Sequence, residues 1–179
     1  IHDYLVDNIN YVDTGDSSYN AYSALINGIA VCSGYTECFK TLLDMLGIEN
    51  ATISGEAGGQ QHIWNIVNLD NHWYHVDVTW DDPVGSSSDY IDHSYFNISA
   101  DDMALDHTWD RSRYSAYEKC GAKYSYCRYK KLPLISNVNQ LNKLIYSTVK
   151  NKTAHIEFTT TYNADLKEAI SRTGQQLSY

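Results

Sequence analysis

The sequence predicts an α+β fold in which one buried helix packs against an antiparallel β-sheet. Across residues 32–46 the apolar side chains fall on one broad helical stripe, and a glycine follows where a helix C-cap is expected. Residues 62–69 and 72–80 are rich in β-branched and aromatic side chains. Between them lies Asp70-Asn71, and both residue types tolerate the positive φ angles of a two-residue hairpin turn. The helix and the hairpin together indicate the α+β class.

Shorter elements are predicted on either side of the central helix. Apolar residues recur with helical spacing near the start of the chain and predict a helix over 1–11. A second helix is predicted over 21–26, because Gly28 can take the left-handed conformation that often ends a helix. Alternating β-type residues predict a strand over 48–54, which would join the hairpin in one sheet.

The chain is predicted to comprise a core over 1–130 and a small α/β appendage over 131–179, whose completeness is left open. In the appendage the apolar pattern predicts a helix over 139–149, a strand over 153–161 and a helix over 164–173. A length of 179 residues with 43% hydrophobic content is enough to bury one substantial core.

Charge and hydropathy exclude several classes of partner. The chain carries 13 Lys and Arg against 22 Asp and Glu, and its net charge of −9 disfavours nucleic acid and anionic membranes. No stretch approaches the roughly 20 apolar residues that span a bilayer. Because the sequence begins with Ile rather than Met, a removed signal peptide would not be visible in it. Its many Tyr, Asn and Ser residues suit an extracellular or cell-surface protein.

The cysteine and acidic patterns point to no metal site. The four cysteines do not have the spacing of paired zinc knuckles or of a dense disulfide scaffold. A bridge between Cys120 and Cys127 is left open, since Gly121 would allow a turn between them. Asp81 and Asp82 lie in an acidic stretch that lacks EF-hand spacing. We therefore predict no metal and no organic cofactor.

The hairpin brings a histidine and a carboxylate together. If Asp70-Asn71 is a two-residue turn, Trp64 lies opposite Asp77, and His62 is a diagonal neighbour of Asp77 on the same face. Diagonal neighbours in an antiparallel pair are about 7 Å apart at the backbone, close enough for a hydrogen bond between an imidazole and a carboxylate. Such a carboxylate orients the imidazole and stabilises its protonated form. The spacing therefore predicts that His62 is a base and that Asp77 orients it.

Cys32 is the candidate nucleophile. It lies at the predicted first turn of the buried helix, where unpaired N–H groups and the helix dipole favour a thiolate. The backbone N–H of Cys32 can also serve an oxyanion, and the small residues Ser33 and Gly34 leave room for a substrate carbonyl. A cysteine at a helix start is more often structural, and for Cys38, on the apolar stripe, we keep that interpretation.

Three segments resemble the transglutaminase-like superfamily: GIAVCSGYTECFKTLLDMLGI, HIWNIVNLDNHWYHVDVTWDDP and the YF that follows. They have the order Cys, His, Asp and cover residues 21–110. The resemblance implies a papain-like α+β fold of the transglutaminase core, a catalytic domain over 1–130 and a triad of Cys32, His62 and Asp77. The pairs at 106–107 and 109–110 resemble a recurring segment of the bacterial relatives, for which we expect a structural role.

The resemblance implies a thiol enzyme that acts on peptide or protein amides through a thioester. We favour a cysteine protease or amidase, because nothing in the sequence specifies a site for an amine acceptor and water is the default. The alternatives are a protein-crosslinking transglutaminase and a non-catalytic module that binds a protein or the cell wall. A cell-wall or surface protein is a further partner to consider.

The remaining site residues are weaker candidates. Trp64 is predicted to contact substrate because it shares the face of the triad, although aromatic residues in a sheet are more often core. A second oxyanion donor is expected outside the motifs, and Gln61 and Tyr22 are the candidates for it.

Overall fold

A computed structural model of the protein describes residues 1–82, 91–153, 155–160, 165–166 and 168–170. The chain divides into two compact units, Ile1–Tyr126 and Cys127–Tyr179. The predicted domain boundary at 130/131 stays a prediction. None of the helices in the described part of the chain is long and apolar enough to cross a membrane.

A five-stranded antiparallel sheet organises the first unit. Along the chain its strands are β3 (Asn50–Ala57), β4 (Gln60–Leu69), β5 (His72–Val76), β6 (Phe96–Ile98) and β7 (His107–Thr108). Their order across the sheet is β6-β5-β4-β3-β7. Two further strands, β1 (Asn10–Tyr11) and β2 (Ile29–Ala30), pair in parallel outside this sheet.

The predicted central helix is α2 (Cys32–Met45), and it packs on one face of the sheet. Its buried residues join those of helix α1 (His2–Asn8) and of the central strands in one apolar cluster. The predicted α+β class, with a helix packed on an antiparallel sheet, is confirmed. The buried residues of this cluster are Leu5, Ile9, Ala24, Ala30, Tyr35, Cys38, Phe39, Leu43, Val67, Val76 and Val78.

The hairpin between β4 and β5 has the predicted register as far as Val76. Leu69 pairs with His72 and Asn65 with Val76, and both Asp70 and Asn71 have positive φ angles of 53° and 61°. The strand does not continue to residue 80 as predicted. Instead, the backbone turns directly after Val76, and the N–H of Asp81 donates to the carbonyl of Asp77.

The second face of the sheet is also covered, which the alternating pattern did not predict. Trp64 and Ile66, which share the face of His62, are fully buried. They pack with Ile53, Trp73 and Met103 in a second cluster. Residues 95–117 supply the covering layer, including helix α3 (Ala100–Met103) and the 3-10 turn Ser115–Tyr117.

The helices predicted at the start of the chain are shorter than expected. The first spans seven residues, and the second is a π-helical turn over Ser23–Asn27, which ends at Gly28 in the predicted left-handed conformation. In the second unit, helix α4 (Val138–Asn151) covers the segment predicted as helix. Strands β8 (Leu134–Ile135) and β9 (Thr159–Thr160) pair in parallel there. Of the helix predicted over 164–173, residues 165–166 and 168–170 are helical, and the others lie outside the described residues.

Candidate active site

His62 and Asp77 are in direct contact. The ring of His62 projects from the start of β4, and its Nε2–H donates to Oδ2 of Asp77 at 2.6 Å. Their side chains are only 7% and 1% exposed, so little water competes with the bond. A short hydrogen bond to an ionised carboxylate fixes both the tautomer and the orientation of an imidazole. This bond occupies Nε2 and leaves Nδ1 of His62 for a reaction partner.

The carboxylate of Asp77 is held by four donors. Oδ2 accepts from His62 and from Nε2–H of His107 at 3.1 Å, while Oδ1 accepts the backbone N–H groups of Thr79 and Trp80 at 3.1 and 3.2 Å. Burial opposes ionisation of Asp77, but the hydrogen bonds from His107 and His62 outweigh it, so the pKa of Asp77 is lowered. The turn that ends β5 therefore creates the two backbone donors that an extended strand would have lacked.

Cys32 is the first residue of α2 and lies beside the ring of His62. As the first helical residue, it has no acceptor for its backbone N–H within the helix, and no described residue outside the helix accepts from it. Burial lowers the pKa of His62, but its interactions with Asp77 and with Cys32 raise the pKa by more. The net result is a pKa of about 9. His62 is therefore protonated at neutral pH and stands beside a thiol, an arrangement that favours the thiolate.

Two side-chain hydrogen bonds tie α2 to the strand of His62. The hydroxyl of Thr36 donates to the carbonyl of Ile63 at 3.0 Å, and the amide of Asn65 donates to the carbonyl of Thr36 at 3.1 Å. Thr36 and Asn65 are 3% and 1% exposed. Because buried polar groups are costly to leave unpaired, this reciprocal pair holds the first turns of α2 in register with β4.

Gly34 serves packing rather than access for substrate. A Cβ atom at this position would lie 2.7 Å from the carbonyl oxygen of Ser18 and 2.8 Å from the Cβ of Ala30. The absence of a side chain therefore lets the first turn of α2 approach the preceding loop closely. The space we predicted for a substrate carbonyl at Gly34 is filled by the protein itself.

Trp64 lies beneath the site and has no exposed surface. Its indole is 0% exposed, its ring centroid lies 5.9 Å from that of His62 at an angle of 18°, and its Nε1–H donates to Nδ1 of His75 at 3.0 Å. Burial lowers the pKa of His75 to about 4, so this ring is neutral and can accept. A side chain with this burial supports the ring of His62 instead of forming an open wall for substrate.

The two candidates for a second oxyanion donor have no described contact with the thiol of Cys32. Gln61 alternates with His62 along β4, and its amide donates to Glu56 at 3.2 Å on the neighbouring strand. Tyr22 is 68% exposed at the start of the π-helical turn. Burial and the nearby Cys32 raise the pKa of Tyr11.

His107 is the main site residue that sequence reasoning missed. We assigned its segment a structural role, yet the ring joins Asp77 through Nε2 and Asp106 through Nδ1 at 2.6 Å. It belongs to the edge strand β7, which pairs with β3. In the sequence, the signal for this role was that His107 directly follows Asp106. The sequence does not show that this segment adds a strand to the sheet.

Gly55 makes the approach of β7 possible. It pairs with His62 across β3 and β4, and a Cβ atom built on it would lie 2.1 Å from the carbonyl oxygen of Thr108. Carbonyl oxygen and Cβ atoms cannot approach so closely, so any side chain at this position displaces β7. The glycine therefore allows His107 to reach Asp77.

Replacing Gly55 with alanine should destabilise the fold and loosen the site. Because the new methyl group meets backbone, we expect a loss of about 1–3 kcal/mol in the free energy of unfolding, as for other overpacked positions. Urea unfolding measures this loss. Ser54→Ala, an exposed position on the same strand, is the matched control and should change stability little. Equal stability of Gly55→Ala and wild type would contradict the role assigned to this glycine.

One comparison with known proteins matches part of the chain to a superfamily. Residues 1–78 match the family model of the transglutaminase-like superfamily. No curated protein matches the chain.

Two solved structures are similar to part of the chain. One is a candidate cysteine protease from Cytophaga hutchinsonii, with 20% identity and a TM-score of 0.41, matched over 44% of this chain and 29% of its own. The other is a TGase, with 13% identity and a TM-score of 0.42, matched over 75% of this chain and 30% of its own. The chain therefore spans less than a third of the length of either. The part of the chain that matches the transglutaminase-like superfamily model, residues 1–78, includes Cys32, His62 and Asp77.

Proposed function

We propose that the protein is a thiol acyl-transfer enzyme acting on peptide or protein amides, and that it is a cysteine protease or amidase. The observation that carries this proposal is the position of His62, which bonds Asp77 at 2.6 Å through Nε2 and whose pKa is raised by both Asp77 and the nearby Cys32. A nucleophile, a base and an orienting acid in this order are the arrangement that covalent acyl transfer requires.

In the proposed acylation step the thiolate of Cys32 attacks the amide carbonyl. The carbonyl oxygen gains the negative charge, and the backbone N–H of Cys32 donates to it. His62, protonated because its pKa is about 9, gives its Nδ1 proton to the leaving nitrogen as the C–N bond breaks. A thioester and a free amine result, and His62 is left neutral while Asp77 keeps its ring in place.

The thioester is then resolved by water or by an amine. Neutral His62 takes a proton from the attacking molecule, and the tetrahedral intermediate expels Cys32 as thiolate. Water yields a carboxylic acid, which is the outcome of a protease or amidase. A lysine amine would yield a crosslink. We favour water because nothing in the sequence specifies a site for an amine acceptor and water is the default acceptor.

The product class can be read by mass spectrometry. Wild type and Cys32→Ala are incubated with a diverse peptide mixture and a labelled primary amine, and cleaved, deamidated and amine-adducted peptides are compared. Cleavage or deamidation that requires Cys32 supports the proposal, while adducts that require it would identify a transglutaminase instead. Identical products from both proteins would favour a non-catalytic module for binding a protein or the cell wall.

The extracellular or cell-surface location stays a prediction.

The activity should fall at alkaline pH. Above about pH 9 His62 loses the proton that it must give to the leaving nitrogen, so kcat/KM for an amide substrate should decrease by about 10-fold per pH unit. Alkylation of Cys32 by iodoacetamide needs no such proton and should not fall over the same range. A pH profile of both reactions between pH 6 and 11 makes the comparison. Parallel profiles would argue against His62 as the acid.

A further inference from the structure

A second histidine–carboxylate cluster lies outside the proposed active site. Nδ1 of His2 and Nε2 of His93 both face Oδ1 of Asp3, at 3.0 and 2.9 Å, and the three atoms lie within 4.8 Å of one another. We propose that these three side chains bind one divalent transition-metal ion of the zinc class. Ninety residues separate the two histidines, so no motif spacing reveals the site in the sequence.

The donor set fits such an ion by type and by spacing. Two imidazole nitrogens and one carboxylate oxygen form a set that zinc and its neighbours accept, with solvent completing the coordination. In a tetrahedral site with bonds near 2.0 Å, ligand atoms lie about 3.3 Å apart. The two distances to Asp3 would therefore grow by only a few tenths of an ångström when an ion replaces the hydrogen-bonded protons.

A buried carboxylate orients the first ligand from behind. Nε2 of His2 contacts Oδ2 of Asp81 at 2.9 Å, and Asp81 is 0% exposed. The other oxygen of Asp81 accepts the backbone N–H of Tyr95 at 2.8 Å. A histidine that donates one ring N–H to a carboxylate presents its other nitrogen as a lone pair, and this arrangement accompanies most histidine ligands of metals. Asp81 thus fixes Nδ1 of His2 as the coordinating atom.

Aromatic packing holds both imidazole rings in place. The ring of His2 lies 4.4 Å from that of Phe96, and the ring of His93 stacks on Tyr126 at 4.2 Å and 6°. The side chains of His2 and His93 are 2% and 12% exposed, whereas that of Asp3 is 61% exposed. One buried and one partly buried imidazole, both oriented, and one solvent-facing carboxylate give a preorganised site with a path for the ion.

The location gives the ion a structural effect. His2 and Asp3 belong to α1, whereas His93 lies just before β6, and Asp81 ends the turn that begins at Asp77. An ion at this point would tie the first helix to the segment after the turn. The expected effect is resistance of this region to unfolding, since a ligand that binds only the folded chain stabilises it.

Binding is tested with Co²⁺, whose visible absorption reports imidazole coordination, and with Zn²⁺ by competition. We expect one Co²⁺ per metal-free chain, displaced by Zn²⁺, and a rise in Tm on binding of either ion. Asp81→Asn should weaken binding about 10- to 100-fold. His93→Ala should abolish it. Asp3→Asn, at an exposed position that the fold tolerates, provides the same test should His93→Ala fail to fold.

Two controls separate this site from the proposed active site. Cys32→Ala should bind Co²⁺ as wild type does, because the thiol is not a ligand. His72→Ala should also bind it as wild type does, because the described side-chain hydrogen bond of this histidine is to its own turn. Absence of binding would overturn the proposal. Undiminished binding by Asp3→Asn and His93→Ala, or loss of binding in Cys32→Ala, would also overturn it, the last by placing the ion at the thiol.

Discussion

Replacing His62 with alanine should slow the alkylation of Cys32 by iodoacetamide about 10- to 30-fold at pH 7, and should reduce amide turnover by about 10³-fold or more. The first effect arises because an ordinary thiol is only a few per cent thiolate at this pH, whereas an adjacent imidazolium stabilises the thiolate. The second arises because the acid for the leaving nitrogen and the base for water are lost together. Stopped alkylation followed by mass spectrometry gives the first rate.

His72→Ala is the matched control for this experiment. His72 belongs to the same hairpin, but its Nδ1 bonds the carbonyl of Asp70 in the turn, so both rates should stay at the wild-type level. If His62→Ala alkylated as fast as wild type, the thiol of Cys32 would be an ordinary one and the chain a binding module. Since iodoacetamide needs no substrate, this outcome can be read before any substrate is known.

The hairpin could be predicted because its determinants are local. Asp70 and Asn71 take positive φ at little cost, a two-residue turn fixes the register, and the register sets which residues face each other. The contact between His62 and Asp77 follows from this pairing. Even so, the predicted end of the strand at residue 80 was wrong, since the strand ends at Val76. The turn that follows is stabilised by bonds from Thr79 and Trp80 to the Asp77 side chain, which periodicity does not encode.

The positions of His107 and Trp64, which support the site, could not be predicted, because they depend on contacts between distant segments. His107 reaches Asp77 only because β7 joins the edge of β3, and that pairing depends on the missing side chain of Gly55. The burial of Trp64 has the same origin, since Trp109 from the covering layer packs edge-on against its indole with centroids 5.6 Å apart. Alternation along β4 identifies its two faces, but it does not say that a later segment covers one of them.

The segment His-x-Trp-Asn can now be explained residue by residue. His62 bonds Asp77, Trp64 supports the imidazole from below, and Asn65 bonds the carbonyl of Thr36 in α2. Trp64 and Asn65 point to opposite faces of β4, so one strand connects to the covering layer on one side and to α2 on the other. This arrangement couples the position of the imidazole to that of Cys32 through rigid elements rather than loops.

Replacing Asp77 with asparagine should lower amide turnover by about 10⁴-fold at neutral pH. Asparagine keeps the shape of the side chain but not its charge, so it neither stabilises protonated His62 nor enforces one tautomer. The same change should destabilise the fold by about 1.5–3 kcal/mol, because buried hydrogen bonds to a charged group are lost from His62 and His107. Steady-state kinetics and urea unfolding measure the two effects.

The loss of stability in Asp77→Asn should itself depend on pH. The pKa of His62 is raised from 6.5 to about 9, so its contribution is fully present below pH 6.5 and is lost as the pH rises through about 9. The pKa of Asp77 is lowered from 3.8, so its contribution is present above pH 3.8 and is lost as the pH falls through the lower folded value. The difference in unfolding free energy between wild type and Asp77→Asn should therefore be largest between about pH 4 and 6.5 and should shrink towards pH 10. A difference that stayed constant from pH 5 to 10 would mean that Asp77 stabilises the fold without holding a charged His62, and the protonated imidazole on which the proposed acylation step depends would have no support.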